Sequence, residues 1–241
     1  MGMPPTPYTP DPRRSQAWIP FNTRSEQPIV TGTSVLALTY KDGIMLAGDN
    51  LASYGSLACS APRLSVTIPS YTIFGASGNM SDFQYLQHDL DNLIIQEEVT
   101  AQDGHQLGPK QIHKYLSQVF YARRSKMDSL WKSVLGGGFK DGKRFLLFVD
   151  LLSVTYTVLT LATCYGVYIA QPLLRKAFEG SEVRKIKEDW LHVLFYRDPR
   201  STNQYQITTI SAAGPTISPS LKLETEWSFA ESIRGYGPQT Q

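Results

Sequence analysis

The order of elements along the chain predicts an α+β fold, a four-layer αββα sandwich in which two stacked antiparallel sheets carry helices on both outer faces. Two observations carry this. Short alternating runs, rich in β-branched and aromatic residues and bounded by Gly, Pro, Asn and Asp, mark strands at the start, middle and end of the 241 residues. Between them lie two pairs of helical patterns, so the order reads strands, two helices, strands, two helices, strands.

Ser34 to Tyr40 is rich in β-branched and aromatic residues, Lys41-Asp42-Gly43 makes a turn, and Ile44 to Ala47 returns, which together predict a hairpin over residues 33–49. Leu51 to Pro62 reads as a loop, Arg63 to Ile68 as a short strand, and Tyr71 to Ala76 as a strand ending in a turn at Ser77-Gly78. Phe83, Leu86, Leu90, Leu93 and Ile94 recur at helical spacing behind a cap from Ser81 and Asp82. A second helix starts at Pro109, in the favoured first-turn position, and sets Ile112, Leu116 and Val119 on one face. Trp131 to Leu135 and Arg144 to Val149 form a strand pair, separated by Gly136-Gly137-Gly138 and the turn Asp141-Gly142. The glycine triplet lacks the Lys-Ser/Thr pair of a phosphate loop, so close backbone packing accounts for it. Ser153 to Leu161 is a further strand. Gly166 to Phe178 and Ser181 to Tyr196 are helices, the second carrying Val183, Ile186, Trp190, Val193 and Leu194. Gln204 to Ser211, a turn at Ala213-Gly214, and Thr216 to Ser218 close the body.

Composition narrows the function. With 41% apolar residues the chain can bury a sizeable core, and one compact domain with tails is expected. A formal charge of +2 is too small for a nucleic-acid footprint, and Arg123, Arg124 and Lys126 read as a solvated helix end. Cys59 and Cys164 are isolated and read as reduced thiols of an intracellular protein. His88, His105, His113 and His192 are scattered, so neither a metal site nor a cofactor is expected. Met1 to Pro12 holds five prolines and no apolar run, unlike a secretory signal. Leu151 to Leu174 carries no formal charge, yet its polar interruptions and strand-like first half argue against a membrane span.

The hairpin brings a hydroxyl, on Thr33, towards the carboxylate of Asp49 sixteen residues later, which is the layout of an N-terminal-nucleophile hydrolase. Gly32-Thr33 at the head of a strand, a second strand ending in Ala47-Gly48-Asp49, Gly75-Ala76-Ser77-Gly78, and Tyr196-Arg197-Asp198 ahead of Ser201 together resemble a proteasome β subunit over residues 28 to 235. Thr31-Gly32-Thr33-Ser34-Val35, Ser53-Tyr54-Gly55-Ser56-Leu57 and Arg123-Arg124-Ser125-Lys126-Met127 resemble the β7 type. The resemblance implies the αββα sandwich that the pattern also predicts.

N-terminal threonine catalysis needs a free α-amino group as base, a cation beside the developing alkoxide, and a carboxylate to orient that cation. The resemblance places the cation on a lysine thirty-two residues after the threonine, and counting from Thr33 lands on Ser65. Arg63 lies two residues back on the same strand face, but a guanidinium cannot shuttle a proton as lysine can. The supporting Gly-Ser-Gly of active members is matched by Cys164-Tyr165-Gly166, where Tyr165 is expected to fill the site. Ser-Gly-Gly is matched by Ser201-Thr202-Asn203, while Asp198 and Ser201 remain. Thr33, Asp49, Ser65, Tyr165, Asp198 and Ser201 therefore mark a degenerate site at which no catalysis is expected. Asp49 is left as an acceptor for local backbone. The enzyme alternative is an active threonine protease subunit using Thr33.

Residues 1–24 are Pro-rich and polar and read as a propeptide head, with Trp18, Ile19 and Phe21 able to dock on a neighbour. By the resemblance, processing falls at Arg24-Ser25, residues 25–220 form the subunit domain, and residues 221–241 form a docking tail. That tail carries Leu223, Trp227, Phe229 and Ile233, apolar groups costly to leave in water. The resemblance further implies a structural, non-catalytic seat in the seven-membered β ring of the 20S core particle. Other α and β subunits would be its partners, with the tail reaching β1 and β2 of the opposite ring, and assembly chaperones belong to the same context. Ubiquitin-dependent proteolysis in cytoplasm and nucleus, without nucleic acid or membrane, is the setting it implies.

Overall fold

The computed structural model describes residues 30–60, 65–68, 72–100, 107–140, 142–178 and 183–228. The processing residues Arg24 and Ser25, the Trp18-Phe21 cluster, Arg63, and the tail residues Phe229 and Ile233 lie outside them.

The first strand, β1 (Thr31–Gly32), is followed by β2 (Val35–Tyr40) and β3 (Gly43–Asp49), which form the expected hairpin with Tyr40 paired to Gly43 and Val35 to Gly48. The expected loop after it is instead a second hairpin, β4 (Leu51–Tyr54) and β5 (Leu57–Ser60), closed at Gly55, whose φ is +58°. Strand β6 (Ser65–Ile68) pairs with β7 (Thr72–Asn79). The turn expected at Ser77-Gly78 is not formed, because β7 runs on to pair with β1 and with the next strand.

Helix α1 (Met80–Thr100) starts directly from β7. Its first turn is capped by Asn79, whose side-chain oxygen accepts the Ser81 N–H at 3.2 Å. Asp82, expected in that role, instead accepts the Trp131 N–H at 2.9 Å. Helix α2 (Pro109–Ser125) begins at the proline as expected. Strands β8 (Lys132–Lys140) and β9 (Lys143–Val149) follow, with the glycine triplet inside β8. A Cβ on Gly136 would lie 2.6 Å from Leu147, and one on Gly137 2.8 Å from Ile44, so the packing between layers demands their absence.

The single strand expected over Ser153 to Leu161 is two. β10 (Thr155–Thr157) pairs with β9, and β11 (Thr160–Ala162) crosses to pair with β2 in the other sheet. Helices α3 (Gly166–Phe178) and α4 (Val183–Arg197) lead to β12 (Gln204–Ser211), β13 (Gly214–Ile217) and β14 (Leu221–Lys222).

One sheet has eight strands, ordered β10-β9-β8-β7-β1-β4-β5 with β6 also on β7, and the other has six, ordered β11-β2-β3-β12-β13 with β14 also on β12. Strand alternation sorts the core into three layers. Val35, Ile44, Leu46, Ile73, Leu135 and Ile210 meet between the sheets. Leu36, Leu38, Met45 and Ala47, on the opposite faces of the same strands, meet α3 and α4 through Ala170, Leu174, Trp190 and Leu194. Phe74 and Val134 meet α1 and α2 through Phe83, Leu90, Leu116 and Phe120. The result is helices, sheet, sheet, helices, the αββα order predicted. Among the described residues, no helix is long and apolar enough to cross a membrane.

Candidate functional site

Thr33 sits in the two-residue gap between β1 and β2, and Asp49 ends β3, so the hairpin register alone places them side by side. The Thr33 hydroxyl donates to Asp49 Oδ1. Both residues are buried. Asp49 also accepts the Thr202 N–H on Oδ2 at 3.1 Å and, more loosely, the Leu51 N–H on Oδ1 at 3.5 Å. Burial pushes the Asp49 carboxyl up to about 7, against the lowering effect of these hydrogen bonds, and the nearby Asp198 raises it further.

A small cavity opens beside this pair. Leu191, Leu194 and Phe195 of α4 line it, with Asp198, Ser201 and Tyr205. Leu223 also lines it and is only 5% exposed. That corrects the expectation that Leu223 anchors on a partner: it belongs to the chain's own core. Trp227 likewise packs edge-on against Tyr196, with ring centroids 5.0 Å apart, and the Tyr196 hydroxyl and Glu226 backbone exchange hydrogen bonds at 2.9 Å. The body therefore runs past residue 220, through β14 to Trp227, although the Trp227 side chain keeps half its surface exposed.

Asp198 and Ser201 reach the cavity but are engaged elsewhere. Asp198 Oδ1 accepts the Arg200 N–H at 2.9 Å, and the Ser201 hydroxyl donates to the Asp198 carbonyl at 2.8 Å. Thr202 gives its N–H to Asp49. Ser65 begins β6, its backbone opposite Gly75 of β7. Tyr165 does not fill the site. It stands 47% exposed, outside the described cavity lining, because the Gly166 N–H is tied to Ser34 Oγ at 3.0 Å and Cys164 adopts a left-handed φ of +51°.

Reading the sequence misses two features. The residues just before Thr33 are a strand: Thr31 and Gly32 pair with Ser53 and Ala52 on one side and with Asn79 and Gly78 on the other. Val30 extends the link, its carbonyl accepting the Met80 N–H at 2.9 Å. No two-residue strand is visible to periodicity. The second is Lys132, 2% exposed, its ammonium 4.7 Å from the Phe83 ring centroid and without a hydrogen-bond partner among the described residues, in a strand whose alternation suggested nothing unusual. Burial lowers it to about 7, partly offset by Asp82.

An αββα sandwich whose first long hairpin opens on a buried threonine, hydrogen-bonded to the aspartate that closes it, is the N-terminal-nucleophile hydrolase fold. Residues 29–210 match the family described as Proteasome subunit. The chain belongs to that family, as a β subunit of the proteasome core particle. It is 44% identical over 217 residues to proteasome subunit beta type-4 of Xenopus laevis, covering 87% of this chain and 89% of that protein. It is 41% identical over 230 residues to the probable proteasome subunit beta type-7 of Schizosaccharomyces pombe, covering 90% and 87%. With proteasome subunit beta type-7 of Saccharomyces cerevisiae it shares 39% over 232 residues, covering 89% and 87%.

Proposed function

We propose that this subunit is structural and non-catalytic: it fills the β7 seat of the ring and supports joining of the two half-particles in ubiquitin-dependent protein degradation in cytoplasm and nucleus. The observation that carries this reading is the environment of the Thr33 nitrogen. Thr31 and Gly32 pair on both edges inside the eight-stranded sheet, which favours their staying attached ahead of Thr33; while they do, the Thr33 nitrogen is a peptide amide and cannot act as the base. The Thr33 hydroxyl is already given to Asp49, and Ser65 offers no charge where the mechanism needs lysine.

Intact mass of the subunit isolated from its assembled particle tests this. The expected mature chain begins near Ser25 and keeps Thr33 internal; a chain beginning at Thr33 overturns the reading. Ring joining is tested by removing residues 229–241, which leaves the Leu223 and Trp227 contacts in place. The expected result is half-particles that form but do not pair, and a normal yield of double rings refutes the role of the tail.

A further inference from the structure

Two amide side chains beside the same strand pair each carry a buried oxygen that accepts no hydrogen bond among the described residues: Asn50 Oδ1 and Gln206 Oε1. The register makes them neighbours. β3 sets Gly48 opposite Gln206 and Leu46 opposite Thr208 on β12, while β2 sets Val35 opposite Gly48 from the other side. Residues two apart on a strand share a face, and Val35 and Leu46 mark this face as the one turned towards the other sheet. Val35, Leu46, Ala47, Gly48, Asn50, Gln206 and Thr208 line one cavity there of about 10 Å³. That is close to the least space a single water molecule occupies. No charged side chain is among the described lining residues, and Asp49, next in sequence, lines the separate cavity beside α4.

In both side chains the amide nitrogen is used elsewhere. Asn50 Nδ2 donates to Ser220 Oγ at 2.9 Å, and Gln206 Nε2 donates to the Ser218 carbonyl at 3.0 Å. A backbone carbonyl only accepts, so turning the Gln206 amide over would set two acceptors face to face. A buried acceptor with nothing to accept from forfeits its hydration, and two acceptors on one water-sized cavity call for a ligand with two hydrogens to give. A metal cation fits less well: calcium and magnesium take about six or more oxygens, and the strand carbonyls around this cavity are paired in the ladder. We infer that one buried water is bound here, donating one hydrogen to Asn50 Oδ1 and the other to Gln206 Oε1. It ties the end of β3, beside Asp49, to β12, and the two amide nitrogens carry the link on to Ser218 and Ser220 ahead of β14. The strand that holds the partner of Thr33 and the segment that leads to Leu223 and Trp227 are thereby joined through a single molecule. The site holds whether or not the subunit is catalytic.

The test is a crystal structure of the assembled particle at a resolution that shows ordered water, from crystals with and without a rubidium soak. The expected result is one peak of density about 2.8 Å from both oxygens, with no anomalous signal from rubidium. A particle carrying Gln206→Met, which keeps the length of the side chain and removes the acceptor, should lose that peak and keep the surrounding waters. The parent map decides even if this variant does not assemble. No density between the two oxygens overturns the proposal, and so does rubidium signal at the peak, which would make this a cation site. A peak that persists in Gln206→Met also overturns it, because the water would then be held by other groups.

Discussion

Asp49 receives the hydroxyl of Thr33 beside a small cavity, with a second carboxylate, Asp198, close enough to be felt. A carboxyl raised from its ordinary 3.8 to about 7 binds its proton more tightly in the folded chain than in the unfolded one. The stability it confers is therefore greatest below pH 4 and is lost as pH rises through 7. Chemical denaturation between pH 4 and 7 should show the chain losing up to a few kcal/mol from this group, and Asp49→Asn should flatten that slope. The same slope in the variant would refute the assignment.

Lys132 has the opposite sign. Lowered from 10.5 to about 7, it costs stability throughout the range below 7, and the cost fades as pH rises towards 10.5. Lys132→Met, which keeps the stem and the contact with Phe83, should stabilise the chain at pH 6 by up to about 4 kcal/mol and leave it little changed at pH 10.5. Taken with Asp49, the parent chain should show a dip in stability near pH 7 that each substitution fills from one side.

Cys164 holds a φ of +51° with its side chain exposed, immediately before the residues that anchor on Ser34. The left-handed region costs a residue with a Cβ about 1–2 kcal/mol, part of which glycine gives back as unfolded-chain entropy. Cys164→Gly should raise stability by about 0.5–1 kcal/mol in thermal unfolding, and a drop in melting temperature would show that the thiol contributes a contact.

Much of this architecture can be read from residues alone, and the failures have physical reasons. The β2–β3 hairpin, the proline start of α2, and the bounds of α3 and β12 follow from patterns complete within each segment. Ser153 to Leu161 misleads because period two looks the same in either sheet, and nothing local says that Thr155 joins Phe148's strand while Thr160 joins Leu38's. Leu51 to Ser60 hides a hairpin because Ala52, Ser53, Ala58 and Ser60 lack the bulky alternation that signals strands. At the site, Thr33 and Asp49 are legible because a hairpin register joins them, whereas Leu223 and Tyr165 are not. Their positions depend on where β14 and the start of α3 dock, which is settled by tertiary contacts.

One of the two shortest strands, β1, has the widest reach. Thr31 and Gly32 are all that joins β4 and β5 to β7 through the hydrogen-bonded ladder. Take them away and the eight-stranded sheet parts into a five-stranded piece and a lone two-stranded ribbon, a unit of marginal stability in water. The peptide that must be cut to free Thr33 adjoins the peptide that keeps one sheet in one piece, so gaining a nucleophile and keeping a scaffold are competing demands on the same three residues.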